Sequence, residues 1–167
     1  NQDTAAAVTT YTITDNDAAG PFVDVPENMQ EQAKLDHLGY GSIQEELGEK
    51  FHVSEGLLHR LNPASKFAAG DSIVVPDNGP GLENVKAAKI VITKAGTLTA
   101  LDQSGKAIAQ YPCSSGSEHD PLPIGTWKVT GIVKNPPFFY NPALFWDADP
   151  KDSKAKIAPG PNNPVGV

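Results

Sequence analysis

The chain has 167 residues, with 13 Lys+Arg against 20 Asp+Glu and a net charge of −7 at pH 7. That length carries one ordinary domain or two small ones and buries a real core. The acidic balance, with a sequence pI near 4.9, argues against a nucleic-acid partner or an anionic membrane surface. Fifteen Gly and fifteen Pro in a chain that is 39% hydrophobic describe a folded, turn-rich and therefore β-rich protein. The single cysteine, Cys113, excludes an internal disulfide framework and a Cys-based zinc site. No apolar run approaches the ~18 residues that a membrane-spanning helix needs. Asn1 opens the chain without a basic-then-apolar leader, as expected of a processed product or an excised piece.

In chain order, Val8–Thr14 alternates and is β-branched, predicting a strand. Residues 15–39 are polar and broken by Pro21 and Pro26, with room for a short helix around Glu27–Leu35. Ser42 followed three residues later by Glu45 has the spacing of a capping box. Ile43, Leu47 and Phe51 then fall on one face of a helix about ten residues long. Ser54 is placed to cap a second helix with Leu57, Leu58 and Leu61 facing inward, and Asn62-Pro63 ends it. Ser72–Val75, closed by Pro76, predicts a strand. The Pro76–Gly81 stretch, with two prolines and two glycines, marks the domain boundary.

Beyond it, Lys89–Thr93 and Thr97–Leu101 flank the three-residue loop Lys94-Ala95-Gly96, a hairpin with glycine at the left-handed position. Lys106–Tyr111 predicts a third strand and Trp127–Val133 a fourth. The run from Pro136 to Trp146, dense in prolines and rings, predicts a loop folded over a surface.

Two groups carry candidate chemistry on their own. Cys113 precedes His119 and Asp120 in a Ser/Gly-rich loop; a thiol becomes a nucleophile when an imidazole helps remove its proton. The opposing reading is an inert thiol at a strand end. His37, His52 and His59 have no ligand-like spacing, and Asp147, Asp149 and Asp152 lack the Gly and terminal Glu of a calcium loop. No metal and no cofactor is expected.

The first segment resembles a lysin motif (LysM) through Tyr11-Thr12-Ile13, Glu49–Ser54, Leu58, Leu61-Asn62-Pro63 and Ala69–Pro76. Such modules bind the N-acetylglucosamine backbone of peptidoglycan or chitin. The resemblance implies a sugar groove around Asn62, Pro63 and Phe67, where an amide bonds an acetamido group and a ring covers a sugar face. Residues 15–39 depart from that pattern as an insertion between first strand and first helix.

The second segment is similar to the YkuD-type L,D-transpeptidase catalytic domain. The similarity runs through Lys89–Ile92, Gly96–Leu98, Tyr111–Gly116, Leu122–Val129, Phe139–Trp146 and Pro159–Gly166. It implies a sandwich-like fold acting on peptidoglycan stem peptides in the periplasm or cell envelope. A cysteine thiolate attacks the carbonyl of a diaminopimelate–D-alanine bond, D-alanine leaves, and an amine of a neighbouring stem resolves the acyl-enzyme into a 3→3 crosslink. Tyr140 and Trp146 are the residues implied for a ring-lined peptide cleft. The family's catalytic His-Gly-Thr and Ser-His-Gly-Cys-x-Arg strings occur nowhere in residues 1–167, and Cys113 matches a non-catalytic position, so no catalytic residue is carried over.

The expected fold is therefore α+β. A small βααβ LysM-like module spans 1–79, and an all-β, sandwich-like front part of an L,D-transpeptidase domain spans 84–167. The chain is expected to be part of a peptidoglycan L,D-transpeptidase, inactive by itself. Its partners are the glycan strand and stem peptides, with no nucleic acid and no membrane span. Strands left unpaired in a partial sandwich would favour pairing with another chain. The alternative is a non-enzymatic peptidoglycan-binding protein.

Overall fold

The computed structural model describes residues 6–79, 85–114 and 116–165. Strand β1 (Val8–Thr12) pairs antiparallel with β2 (Ser72–Pro76), Tyr11 opposite Ile73. Between them lie four helices: α1 (Asp15–Ala18), α2 (Met29–Gln32), α3 (Ile43–Lys50) and α4 (Glu55–Leu61). Leu47 projects from α3 and Leu58 from α4 onto Ile73 and Val75 of β2, with Ile13, Val53 and Phe67 completing a buried cluster. Ile43 and Phe51 pack at its margin, as the i, i+4, i+8 spacing requires. Of the three leucines expected to face inward from α4, only Leu58 is buried; Leu61 is half-buried and Leu57 exposed. Leu57 sits one residue, or about 100° of helix rotation, from the buried position, too far round a seven-residue helix to reach the same core.

The expected capping box at Ser42 is half formed. The Ser42 hydroxyl accepts from the Glu45 amide at 3.0 Å, but the Glu45 carboxylate takes the Gly41 amide at 2.6 Å. A complete box forms instead at Thr14–Asp17, capping the one-turn α1. The short helix expected at 27–35 contracts to α2, capped by Asn28, whose Oδ1 accepts from the amides of Gln30 and Glu31.

Strands β3 (Lys89–Thr93), β4 (Thr97–Leu101) and β5 (Ala107–Pro112) form an antiparallel three-stranded sheet. Gly96, at φ 72°, takes the left-handed position of the β3–β4 turn; a Cβ there would stand 2.8 Å from the Cys113 carbonyl oxygen. Ile90 aligns with Ala100 and Ala109, and Ile92 with Leu98 and Tyr111, so one face of this sheet is apolar throughout. No residue described between 85 and 131 is buried. The fourth strand expected at Trp127–Val133 is not formed. A strand needs a neighbour to take its outward N–H and C=O groups, and no described strand pairs with this segment; Ile132 is 86% exposed.

Farther along, β6 (Phe138–Tyr140) pairs antiparallel with β7 (Ala155–Ile157), with a 3₁₀ turn at Pro142–Leu144 between them. Tyr140 and Ile157 bury against Leu38, with Val25, Met29 and Leu35 packed alongside. The residues group into two compact units. Those up to Gly79 join those from Ile132 onward as one compact unit, and residues from Pro80 to Gly131 form another.

Candidate functional site

The residues expected to line a sugar groove stand at the end of α4 and in the loop that follows. Asn62 is 8% exposed, and its amide is committed to backbone: Nδ2 donates to the carbonyls of Leu58 and Val74 at 2.9 and 2.8 Å, and Oδ1 accepts from the Val74 amide at 2.6 Å. The side chain thus ties the end of α4 to β2. Phe67 is buried in the core with φ 54°, its ring edge-on to His59 at 4.9 Å between centroids. Pro63 is exposed. The loop is shaped by Asp71, whose Oδ2 accepts from the Ala68 and Lys66 amides and the Ser65 hydroxyl at 3.0–3.2 Å. The Ala68 amide foremost, then the Ser65 hydroxyl, holds that carboxyl below its ordinary value.

The pair expected for a peptide cleft, Tyr140 and Trp146, lies on the β6–β7 element. Tyr140 is buried, and its hydroxyl donates to Asp152 at 2.7 Å; that bond, reinforced by burial, pushes the phenol up to about 12. Its ring packs against Phe145 at 5.5 Å, and Phe138 meets both rings at 6.4 Å. Trp146 is 64% exposed beside the exposed Leu144 and Phe145. Asp152, one of the three aspartates that lack the setting of a calcium loop, anchors Tyr140. Cys113 is a half-buried free thiol at the end of β5, its amide donating to the Gly96 carbonyl at 2.9 Å. The structure sets Asn62 and Phe67 around one core cluster and Tyr140 in another; the solvent-facing members of the expected set are Pro63 and Trp146.

One charged group escaped the sequence reading. Asp17 is 2% exposed and accepts four hydrogen bonds at its carboxylate: from Tyr11 at 2.6 Å, from the Thr14 amide and hydroxyl at 2.8 and 2.7 Å, and from Lys50 Nζ at 2.7 Å. Burial opposes its ionisation, but the bonds from Lys50, Tyr11 and Thr14 outweigh burial and hold the carboxyl far below the usual range. Lys50 lies over the Tyr11 ring at 4.6 Å and is raised in turn, its own burial outweighed by Asp17 and Tyr11. The Thr14-x-x-Asp17 spacing was the available signal.

Against known families, residues 87–165, just under half of the chain, match the family model of the YkuD L,D-transpeptidase catalytic domain. No curated protein matches the chain. The matched stretch includes the β3–β5 sheet, the aromatic loop with Tyr140 and Trp146, and the Pro159–Asn163 turn. Among the described residues no helix is long and apolar enough to cross a membrane.

Proposed function

We propose that this chain works on bacterial cell-wall peptidoglycan as part of an L,D-transpeptidase. The observation that carries the reading is the catalytic-domain match at residues 87–165. The β6–β7 element supports a stem-peptide surface: Tyr140 is locked by Asp152, and the exposed Trp146 stands on the loop between the two strands, where a ring can cover an acyl chain. Residues up to Gly79, with β1 and β2 flanking the helices, act as the LysM-like module. Pro63 presents the part of its surface open to a glycan strand, and Asn62 and Phe67 hold that surface in shape.

The 167 residues hold neither His-Gly-Thr nor Ser-His-Gly-Cys, so the chain by itself binds wall material without transferring acyl groups. Incubation with a tetrapeptide stem should release no D-alanine, while co-sedimentation with purified sacculi should retain the chain. D-alanine release that disappears in Cys113→Ala would overturn the assignment of Cys113 as non-catalytic. Loss of sacculus binding would overturn the wall-binding role.

A non-enzymatic peptidoglycan-binding protein is the second reading, favoured by the same absence of catalytic strings. Binding of sacculi by the second segment, residues 84–167, alone and stably folded, would select it.

A further inference from the structure

A groove of about 570 Å³ opens between the stretch before α2 and the start of α3, and it lies apart from the aromatic loop and from the end of α4. A volume of that size takes a small molecule or a short stretch of polymer. Its walls carry three carboxylates, Asp24, Glu27 and Glu45, and no Lys, Arg or His stands among its described lining residues. Glu45 is fixed by the Gly41 amide at 2.6 Å, while Asp24 and Glu27 are exposed.

An independent feature of the same groove points to a ligand. Gln32 lines it and is 92% buried, and its Oε1 has no hydrogen-bond partner. The amide orientation is set by Nε2, which donates to the Pro26 carbonyl at 2.8 Å; flipping the group would lose that bond and bring two acceptors together. Buried acceptors are seldom left unpaired in a folded protein, and an N–H brought in by a ligand would satisfy this one. The neighbourhood is negative as well: burial first, then the charges of Glu49, Glu46 and Glu45, pushes the Tyr40 phenol up. A metal ion does not fit, because among the described residues no three His, Cys, Asp or Glu side chains converge closely enough to hold one.

We propose that this groove binds a primary ammonium group carried on a polar chain, the charge drawn to the exposed Asp24 and Glu27 and one N–H bonding Gln32 Oε1. An ammonium brings three donors and a charge, matching an acceptor-only wall. The assignment stands independently of the transpeptidase reading. Two sources share this chemistry, a lysine-type side chain and an amino sugar, and the experiment separates them.

The test is an NMR titration of the full chain with Nα-acetyl-lysine methylamide, with glucosamine, with the ε-acetylated lysine analogue and with calcium chloride. Saturable shifts of the Gly41 amide and the Gln32 side-chain amide are expected from at least one of the two amines, and the responding amine identifies the source. The acetylated analogue and calcium should leave those signals in place. The exposed double variant Asp24→Asn/Glu27→Gln should keep its fold and weaken the dissociation constant by about threefold or more. Shifts from the neutral analogue or from calcium, or no response to either amine, would overturn the proposal, and none of these outcomes alters the sacculus or D-alanine readouts.

Discussion

Four hydrogen bonds converge on the Asp17 carboxylate, and their loss has a calculable direction. Its folded carboxyl titrates below the unfolded value of about 3.9. It therefore contributes stability that is full above that unfolded value and is lost as pH falls through the folded one. Asp17→Asn keeps the shape but leaves Lys50 and Tyr11 poorly matched, and should cost about 2 kcal/mol at neutral pH, discounted for the part-exposed Lys50. Urea denaturation of the two proteins should show that difference at pH 7 and a narrowing gap below pH 4 (about the unfolded carboxyl value); a constant gap would contradict the assignment. At Tyr140 the expectation is spectroscopic. Removing the acceptor with Asp152→Ala should bring the phenol down from about 12 towards its ordinary value, followed by NMR-monitored alkaline titration. Neither residue was legible as a partner of the other from spacing alone. Tyr140 and Asp152 are twelve residues apart across a turn, and Lys50 reaches Asp17 over thirty-three.

Among the elements, those built on local rules were readable, and those built on distant contacts were not. The hairpin at Gly96 and the helices at Ile43 and Glu55 follow from turn chemistry, capping and period. The strand expected at Trp127–Val133 had the right composition, but composition does not supply a neighbour to pair with. Leu38 could not be singled out either, because its burial depends on Tyr140 and Ile157. The docking of the segment around α2 and Leu38 on β7 and the turn after it is exacting. The Leu38 amide donates to the Pro159 carbonyl, the Asn162 amide returns to the Leu38 carbonyl at 3.1 Å, and Gln30 and Ser153 exchange two further bonds. Gly160 makes this approach possible: at φ 150°, a Cβ would collide with the Leu38 carbonyl oxygen. Gly160→Ala should accelerate hydrogen exchange at the Leu38 and Asn162 amides while leaving Val75 protected. Leu38→Ala should destabilise the same region by about 2–5 kcal/mol.

For the molecule as a whole, apolar burial is unevenly distributed. Both buried clusters belong to the unit formed by residues up to Gly79 and from Ile132 onward, while the β3–β5 sheet offers Ile90, Ile92 and Tyr111 to solvent at 45–49% exposure. An uncovered face of this kind binds reporter dyes. The chain should enhance anilinonaphthalene sulfonate fluorescence under native conditions, and Ile92→Lys should reduce the signal. Trp127, 74% exposed, should be quenched efficiently by iodide. A dark dye would show that this face is covered in solution, and a shielded indole that the segment carrying Trp127 is. The grouping of 132–165 with the first unit also sets an order of events in the cell. Gln30 and Ser153, like Gly39 and Asn162, are separated by 123 residues. At about 5–20 residues per second of ribosomal synthesis, Leu38 waits roughly 6–25 s for the segment that covers it. During that interval a nascent chain shows an unshielded leucine to whatever chaperone stands at the tunnel exit, so a delay late in translation should be felt first around Leu38.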